Sequence, residues 1–388
     1  MQHMQPAQQQ DTSRLAQEST AYDPDPRHAG MPTLDGTAGD ISWFEFASPR
    51  WFYLPVYAYC AWLSLRYLGL RHPTNANPAI PFSGLVGESK SEVLSCVRAP
   101  SNALTARFIK VHRAEGGSEA AYSEALAGMQ AARLTFPAVV KPDLGMRGAG
   151  VQVAKSEDAL RAYIDAFPAG ADFLVQELVD YEGEAGVFYV RHPDWEKGKI
   201  ISLTLKYFPR VYGDGTKTLR ELIMADPRAG KVPHLYTERF KDRLDTKLSD
   251  GESVRLAFAG NHCQGTIFRN GNDHITDAMV DTFDAIARDM GEFYIGRFDV
   301  RFDTFEGLKR GEGFKIIEVN GAGGESTHIW DARTRLRDAY KTLMRQFRHI
   351  YEIGAKNRRR GFRPPTLQDF IKAWQREKTL TGDYPSTH

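Results

Sequence analysis

The chain has 388 residues, of which 42% are hydrophobic and 11% aromatic, so it can bury one large core or two to three smaller ones, as soluble globular proteins do. Lys and Arg number 50 against 49 Asp and Glu, and this balance leaves no overall positive field to attract nucleic acid. Cys60, Cys96 and Cys263 lie far apart without the spacing of metal ligands, which is typical of a reducing compartment, so we expect a cytoplasmic protein.

The first forty residues have the composition of a mobile segment. They are rich in Gln, Ala, Ser, Pro and Asp and contain few large apolar side chains. Such segments cannot bury enough apolar surface to fold. They also lack the basic, apolar and small-residue order of a signal peptide. We therefore expect residues 1–40 to be a disordered tail.

An aromatic segment follows, "WFYLPVYAYCAWLSLRYLGL", residues 51–70. It has about the length of a membrane span, but Pro55 and Arg66 interrupt it and it is rich in Tyr and Trp. We interpret it as a buried helix. A peripheral contact with a membrane or another protein remains an alternative, and Arg66 near its end argues against a true span.

The remainder of the region 41–135 gives fewer signals. The stretch "HPTNANPAIPFSGLVGESK" is rich in proline and glycine, which predicts mostly irregular chain that either wraps the core or lines a cleft. We treat 41–135 as one N-terminal region of aromatic, helical and irregular character.

From Phe136 the sequence alternates strands and helices. "FPAVVKP" predicts a short strand over 138–141, and "DLGMRGAGVQVAK" predicts a glycine-containing turn that leads into a second strand. Ser156 is positioned to cap the helix "EDALRAYIDAF", and "DFLVQELV" predicts another strand. Because the glycine turn leads into a strand and no "GxxxxGK[ST]" motif occurs, the pattern disfavours a nicotinamide-binding or P-loop protein.

A second helix is predicted where Thr276 precedes "DAMVDTFDAIARDMG". Its apolar residues fall on one helical stripe that ends at Gly291. We expect this helix to cover a sheet, and the apolar residues after Leu336 predict one more packed helix.

Two apolar segments that follow this stripe carry oxygen donors at regular positions. In "GRFDVRFD" the alternation of a strand places Asp299 on the face opposite the phenylalanines. In "KIIEVNG" the same alternation places Ile316, Glu318 and Asn320 on one face. Antiparallel pairing would bring the three polar side chains together, and Mg²⁺ prefers such oxygen ligands when it also binds phosphate. A hairpin with a solvated polar face is the alternative.

These motifs together resemble the ATP-grasp superfamily, and specifically its carboxylate–amine ligases, such as D-alanine–D-alanine ligase and the ligase half of cyanophycin synthetase. The resemblance covers residues 136 to about 355. It implies an α/β (α+β) chain with the ATP-grasp fold, in which two α/β subdomains clamp ATP, here with an atypical N-terminal region. It places a lid subdomain at 136–180, a C-terminal subdomain with the metal site at 181–355 and a basic C-terminal tail at 356–388.

The resemblance also implies the ligands of the nucleotide. Asp299, Glu318 and Asn320 would hold two Mg²⁺ ions, with Mn²⁺ as an alternative, and Glu318 would bridge them. The implied ATP-binding residues are Lys141 at the α- and β-phosphates; Gly145, Arg147, Gly148 and Gly150 in a loop over the β- and γ-phosphates; Glu177 at the adenine amino group; Leu178 and Val179 at its backbone-read edge; and Glu184 at the ribose.

The implied activity is the formation of an amide or peptide bond through an acyl phosphate, with release of ADP and phosphate. Lys206 would contact the γ-phosphate and Arg297 would stabilise the oxyanion. The residues expected to face the small-molecule carboxylate and amine substrates are Arg191, Gly323, Gly324, Glu325, Ser326 and His328. An ATP-grasp kinase, or a non-catalytic nucleotide-binding protein docked at a membrane or partner, remains an alternative. His328 is followed by Ile329 where D-alanine ligases carry a hydroxyl residue, which argues against D-alanine as substrate.

Overall fold

The computed structural model describes residues 28–34, 41–45, 47–145, 148–258, 260, 265–385 and 387. The strands are β1 (Phe108–Arg113), β2 (Ala138–Pro142), β3 (Gln152–Ala154), β4 (Ala171–Glu177), β5 (Gly183–Val190), β6 (Lys199–Tyr207), β7 (Arg210–Tyr212), β8 (Ser253–Arg255), β9 (Ile267–Asn270), β10 (Ile295–Phe302) and β11 (Phe314–Asn320). The helices are α1 (Pro49–Phe52), α2 (Leu54–Arg66), α3 (Lys90–Ser95), α4 (Glu119–Ala131), α5 (Glu157–Ala166), α6 (Leu219–Ala225), α7 (His234–Thr237), α8 (Asp277–Asp289), α9 (Phe305–Lys309), α10 (Leu336–Arg359) and α11 (Leu367–Asp383).

The first sheet has four antiparallel strands in the order β1-β4-β2-β3. One face carries Val111, Val140 and Phe173, which pack against apolar residues of α4 and α5. The Ser156 side chain accepts a hydrogen bond from the Ala159 amide, so the predicted cap of α5 is confirmed. We call this unit the lid sheet. Since β1 belongs to it, the predicted boundary at residue 136 must move upstream to the start of β1.

The second sheet has five antiparallel strands in the order β11-β10-β5-β6-β9, and we call it the central sheet. The apolar stripe of α8 packs on it as predicted, with Met279, Phe283 and Ile286 fully buried in the same core as Phe298 and Val300. Thr276 caps α8 by accepting from the Met279 amide. The predicted α/β (α+β) class, with two sheet-containing units facing each other, is confirmed.

A β-bulge alters the predicted faces of β11. Asp299 pairs with Glu318, but Val300 pairs with Ile316, so Ile317 is an extra residue on β11. The bulge turns Ile316 into the core, where it is fully buried, and leaves Glu318 on the opposite side. The expectation that Ile316 shares the polar face of Glu318 is therefore wrong.

Between β6 and β9 the chain forms a small unit of its own. The two-stranded sheet β7-β8 packs with α6 and α7 around Leu219, Ile223 and Tyr236. The Thr218 side chain and the Glu221 carboxylate form a reciprocal capping box at the start of α6. This unit is joined to the N-terminal region by a buried ion pair between Arg228 and Glu45.

The N-terminal region is more ordered than its sequence suggests. Residues 28–34 lie within the predicted tail, yet Met31 is buried in the main core; the remainder of 1–40 lies outside the described residues. The aromatic segment forms α2, which is buried on one face only, so the prediction of a buried helix is wrong for its other face. No helix in the described part of the chain is long and apolar enough to cross a membrane.

The predicted C-terminal tail is also folded. Its proposed start at residue 356 falls inside α10, and after Pro364 and Pro365 a second helix, α11, begins. Thr366 caps α11 by accepting a hydrogen bond from the Asp369 amide. A Thr-x-x-Asp pattern directly after a proline pair is the sequence signal for this helix.

A strained turn brings the N-terminal region against the end of β11. Phe82, Ser83 and Gly84 have φ values of 49°, 59° and 73°, which lie in the left-handed region. A Cβ added at Gly84 would lie 2.8 Å from the Gly321 Cα and 2.9 Å from its amide nitrogen. The amides of Ala322 and Gly323 donate to the carbonyls of Ser83 and Gly84.

We expect Gly84→Ala to lower the free energy of unfolding by more than Gly170→Ala, a matched substitution of another glycine. Gly170 has nearly the same φ, 74°, but a Cβ added there would have no atom within 4 Å, so Gly170→Ala should cost only the backbone strain of about 1 kcal/mol. Gly84→Ala adds a backbone collision and should cost about 2 kcal/mol more. Denaturant titration of both variants measures the difference, and equal losses would show that the close approach to Gly321 is not tight.

Candidate functional site

A cleft of about 710 Å³ lies between the lid sheet and the central sheet. The two sheets are linked at its floor, where Lys141 Nζ and Gln176 Nε2 of the lid sheet donate to the Ile317 carbonyl of β11, at 3.0 and 3.2 Å. The predicted site residues that line the cleft are Lys141, Gly145, Gly148, Glu177, Leu178, Val179, Glu184, Lys206, Arg297, Asp299, Glu318, Asn320, Gly323, Gly324 and Glu325. Arg147 lies outside the described residues.

Asp299 is the centre of a buried charge network in the cleft. Its Oδ1 accepts from Lys206 Nζ and Arg297 Nε, both at 2.9 Å, and its Oδ2 accepts from Arg297 Nη2 at 2.9 Å. Burial alone would raise the pKa of Asp299, but Arg297 and Lys206 more than offset it and lower the pKa to about 2. Asp299 is therefore an anion throughout the neutral range.

Glu318 and Asn320 lie beside Asp299, as the antiparallel register predicts. Asp299 pairs directly with Glu318, and Arg297 pairs with Asn320. Asn320 Nδ2 donates to Asp299 Oδ2 at 3.2 Å, which leaves the amide oxygen of Asn320 available. The half-buried carboxylate of Glu318 has no hydrogen-bond partner in the described part of the chain.

These donors fit a divalent cation. A carboxylate without a protein partner, a second carboxylate and an amide oxygen line one cleft, and hard oxygen atoms are the ligands of Mg²⁺. Lys206 and Arg297 balance the charge of Asp299 in this structure. The residues present are therefore compatible with the metal that the sequence motif implies.

Lys206 and Glu184 face each other across β5 and β6. Lys206 Nζ lies 3.1 Å from Glu184 Oε1, and Arg301 Nε lies 2.9 Å from Glu184 Oε2. Burial would lower the pKa of Lys206, but Asp299 and Glu184 offset this and raise it. Glu184, expected at a ribose, is thus bound by two cations of the protein itself.

Lys141 reaches across the cleft from β2. Its ammonium donates to Gln176 Oε1 at 2.8 Å as well as to the Ile317 carbonyl. Burial lowers the pKa of Lys141 to about 8, although nearby Glu318 acts in the opposite direction. A triphosphate in the cleft would raise this pKa again, because an anion favours the charged ammonium.

The segment after β4 joins the lid sheet to the central sheet. Leu178 and Val179 of this segment line the cleft. Glu177, expected at an adenine amino group, is instead bound by Arg107, whose Nε lies 3.1 Å from Oε2 and whose Nη2 lies 3.2 Å from Oε1. The carboxylate at this position is therefore paired within the protein and is not free.

The glycine loop after β2 is covered by the C-terminal segment. Gly145, Gly148 and Gly150 have φ values of 138°, 74° and 70°, which glycine adopts without strain. A Cβ at Gly145 would lie 3.1 Å from the Tyr384 ring, and Thr387 Oγ1 donates to the Gly148 carbonyl at 2.8 Å. Gly150 does not line the cleft; its carbonyl accepts from Tyr163. The loop and the chain after α11 are thus in direct contact.

In the segment 323–328, residues that were expected to face the substrates bond to other parts of the protein. The amides of Gly323 and Gly324, expected to face the substrates, donate to the carbonyls of Gly84 and Gly321. Glu325 lines the cleft, but its carboxylate accepts from the Tyr53 hydroxyl and from Trp330 Nε1. These three residues shape the cleft wall rather than offering unused donors.

Three more predicted substrate residues lie away from the described lining of the cleft. Ser326 is fully buried, and its amide donates to Gln346 Oε1. His328 is buried against Ser202, with Oγ 2.6 Å from Nδ1, and burial lowers its pKa to about 4. The guanidinium of Arg191 stacks over the Tyr294 ring at 4.7 Å. Packing against the core explains all three positions.

A second polar cluster lies between His192, which follows β5, and α10. His192 Nε2 lies 2.8 Å from His349 Nδ1 and 3.8 Å from Glu352 Oε2. Lys356 Nζ lies 3.1 Å from His192 Nδ1. Because an ammonium only donates, Nδ1 accepts and Nε2 carries the proton that it donates to His349. The cluster is therefore a satisfied hydrogen-bond network.

The cleft residues that were not predicted from the sequence include Glu88 and Lys90. Glu88 Oε1 accepts from the Gly321 amide at 2.8 Å, and Lys90 Nζ donates to the Gly145 carbonyl at 2.6 Å. Ser89 between them caps α3 and donates to Asp143 at 2.7 Å. The signal in the sequence was two charged residues around a capping serine, directly after glycines, in a segment expected to line a cleft.

Glu88 makes stability depend on pH. Burial raises its pKa from 4.5 to about 8, with Glu318 adding to the effect. Between these values the folded state holds a proton that the unfolded state loses, so the stabilisation is complete below pH 4.5 and disappears as pH rises through 8. In metal-free buffer, we expect the free energy of unfolding to fall by about 3 to 4 kcal/mol more in wild type than in Glu88→Gln between pH 5 and 8. Denaturant titrations at both pH values measure this, and parallel pH profiles would contradict it.

The sequence matches no protein-family model and no curated protein. Many solved structures are similar to the chain, among them the following three. A bifunctional glutathione synthetase from Pasteurella multocida is 16% identical over 66% of this chain and 36% of its own length, with a TM-score of 0.33. D-alanine–D-alanine ligase from Bacillus anthracis is 13% identical over 71% of this chain and 69% of its own, with a TM-score of 0.40. The VanG D-Ala:D-Ser ligase from Enterococcus faecalis is 14% identical over 72% and 64%, with a TM-score of 0.38.

All three of these structures are ligases or synthetases by name. Two of them are ligases that act on D-alanine, the kind of enzyme that the strand and loop motifs resemble. The matched region spans little more than a third of the glutathione synthetase chain. Because all three TM-scores lie below 0.5, an activity and its substrates have to follow from this chain's own residues.

Proposed function

We propose that the chain is an ATP-dependent ligase that joins a small-molecule carboxylate to an amine through an acyl phosphate. The observation that carries this proposal is the register of β10 and β11, which sets Asp299 opposite Glu318 in a cleft that also contains Lys141, Lys206 and Arg297. Two carboxylates among three buried cations suit a polyanion bound with divalent ions. Such a site fits a nucleoside triphosphate.

The nucleotide would lie along the line between the two sheets. Lys141 and the glycine loop would receive the phosphates, because an ammonium and closely approaching backbone amides stabilise phosphate oxygens. The segment at Leu178 and Val179 would receive the adenine through its backbone groups. Glu184 would serve the ribose only after Arg301 or Lys206 releases it, since both cations bind it here.

Asp299, Glu318 and Asn320 would hold Mg²⁺, as two ions in our proposal, with Mn²⁺ as a substitute. When bound, the metal would neutralise triphosphate charge and polarise the transferred phosphoryl group. Arg297 holds the Asp299 carboxylate through two hydrogen bonds and so fixes its orientation before any ligand arrives. Lys206 lies on the other side of Asp299 and would turn toward the γ-phosphate.

The reaction would proceed in two steps. A carboxylate oxygen attacks the γ-phosphorus, the bond to the β,γ-bridging oxygen breaks, and ADP leaves. The amine then attacks the acyl carbon, the carbon–oxygen bond to phosphate breaks, and the nitrogen gives up a proton as the amide forms. Arg297 would stabilise the developing oxyanion, because a fixed positive donor there lowers the barrier.

Phosphate release by the purified protein tests the proposal. We expect ADP and phosphate to accumulate only when ATP, Mg²⁺, a carboxylate and an amine are all present, across a panel of amino acids, peptides and polyamines. Hydroxylamine in place of the amine should trap the acyl phosphate as a hydroxamate. Transfer of phosphate to a hydroxyl acceptor, without any need for an amine, would instead identify a kinase and overturn the proposal.

A further inference from the structure

Helix α2 has two apolar faces, of which only one is covered. On the covered face Val56 and Leu63 are buried against α10, and the Ser64 and Tyr67 hydroxyls bond to Tyr351 and Glu352, each at 2.7 Å. The opposite face and the adjoining α1 carry exposed large side chains, which are Trp51, Leu54, Tyr57, Trp62 and Leu65. A helix that is apolar all round is normally covered all round.

The exposed face continues beyond the end of α2. Leu68 and Leu70 are 91% and 69% exposed, and α11 adds a stripe of Leu367, Ile371 and Trp374 at helical spacing. Arg71 Nη1 donates to the Pro365 carbonyl at 3.0 Å and so joins the two parts. We call this continuous surface, from Trp51 to Leu70 and from Leu367 to Trp374, the apolar face.

A basic hollow lies within the apolar face. It has a volume of about 310 Å³ and is lined by Leu68, Leu70 and Leu367 together with Arg71 and Arg358. Arginine forks match the geometry of phosphate oxygens. A hollow lined by two arginines and three leucines suits a ligand that has both an anionic group and an apolar part.

The charged residues in the N-terminal part of the apolar face are all basic, whereas the α11 part carries both Asp369 and Lys372. No Asp or Glu occurs between Glu45 and Glu88, whereas Arg50, Arg66 and Arg71 all lie exposed in that interval. Within the described residues, neither these three arginines nor Arg358 forms an ion pair with a carboxylate, while Arg360 nearby is paired with Glu292. The net charge of the whole chain is only +1, so this basic patch is local.

The backbone at Leu68 is also unusual. Its φ of 52° lies in the left-handed region, directly after α2, at a position where glycine or asparagine is the common residue. A leucine there is strained, and it is almost fully exposed. Backbone strain of this kind is often found at residues that have a function, such as contact with a ligand.

We propose that the apolar face docks on an anionic membrane surface, with a lipid phosphate in the hollow between Arg71 and Arg358. Trp and Tyr favour the interface between lipid and water, leucines enter the acyl boundary, and arginines keep their charge among the headgroups. The unpaired arginines favour a lipid surface over a second copy of this chain, which would bring like charges together. α2 has 13 residues, which suits a helix lying in the interface rather than crossing it.

Docking would place the cleft at the membrane. Tyr57 belongs to the apolar face and also lines the cleft, together with Pro49 and Tyr53 at the start of the aromatic segment. The opening on that side would therefore face the lipid surface. The docking itself does not depend on the proposed ligase activity, so each can fail without the other.

Vesicle sedimentation with the full chain tests the docking. We expect the protein to sediment with vesicles of mixed phosphatidylcholine and phosphatidylglycerol at low salt, and at least about tenfold less with phosphatidylcholine alone. The double variant Trp62→Ser, Leu65→Ser should lose at least about tenfold in affinity for the mixed vesicles. Arg71→Gln with Arg358→Gln should remove most of the preference for the anionic lipid.

The matched control is Met224→Ser, which removes a side chain that is 56% exposed on the small unit of β7 and β8. It should bind vesicles like wild type, and circular dichroism should show that all variants are folded. Absence of binding to the mixed vesicles would overturn the proposal. Equal losses of vesicle affinity in Met224→Ser and in the Trp62, Leu65 double variant would also overturn it. The third contrary outcome is a wild-type protein that does not bind vesicles but self-associates, with the self-association abolished in the double variant.

Discussion

Replacing Glu318 by Gln is expected to abolish the release of ADP and phosphate. The substitution keeps the shape of a side chain that has no hydrogen-bond partner in the described structure, but it removes a carboxylate that is paired across the strands with Asp299 and is proposed to bind the metal. Loss of a metal carboxylate should lower kcat by at least about a hundredfold. A coupled phosphate assay at saturating ATP and Mg²⁺ measures the effect.

Glu312→Gln is the control for this substitution. Glu312 is exposed in the turn before β11 and pairs only loosely with Arg310, at 3.6 Å. It should retain wild-type turnover, and both variants should unfold within about 1 kcal/mol of wild type. Calorimetry should show that Glu318→Gln loses the Mg²⁺-dependent part of ATP binding. Undiminished turnover in Glu318→Gln would refute the metal assignment.

The largest expected effect on stability comes from Arg228→Met. Arg228 binds the Glu45 carboxylate, and its Nε and Nη2 donate to the carbonyls of Gly265 and Thr266, both at 3.1 Å. Both side chains of the ion pair are at most 5% exposed. Methionine fills the space of the arginine stem but leaves a buried carboxylate without its cation. We expect a loss of about 3–5 kcal/mol in the free energy of unfolding.

Protonation of the Glu45 carboxylate should partly offset the loss of stability in the Arg228→Met variant. Burial already raises the pKa of Glu45, with Arg228 acting against it, and removal of Arg228 raises that pKa further. The loss should therefore be smaller at pH 5 than at pH 8, because protonating the buried carboxylate costs little free energy near its unfolded pKa of 4.5 and progressively more as the pH rises. Arg220→Met is the control, since Arg220 pairs with Asp245 in solvent and should lose less than about 1 kcal/mol. Equal losses in the two variants would show that burial of the pair is unimportant.

The predictions that succeeded rest on local periodicity. Alternation of apolar and polar residues located β10 and β11 and set Asp299 opposite Glu318. The capping residues Ser156 and Thr276 fixed the starts of two helices. These predictions succeed because the face of a strand, the apolar stripe of a helix and a helix cap are each determined by residues that lie close together in the sequence.

The predictions that failed depend on contacts between distant segments. Nothing near Ile317 signals the bulge that turns Ile316 into the core, because the bulge is defined by the partner strand. The amides of Gly323 and Gly324 are used by Gly84 and Gly321, and only the first partner is remote in sequence. Glu177 was expected at an adenine amino group, which stays a prediction, and nothing in the sequence indicates that Arg107 of the N-terminal region binds its carboxylate. Residues before 136 thus contribute contacts to a site whose sequence motifs all lie after residue 136.

The contact between the C-terminal segment and the glycine loop has a practical consequence for biochemical work. Thr387 bonds to the Gly148 carbonyl, and the Tyr384 ring lies against Gly145. A purification tag fused after residue 388 would therefore lie close to the loop that we propose receives the phosphates of a nucleotide. Kinetic constants should be compared on protein from which such a tag has been cleaved.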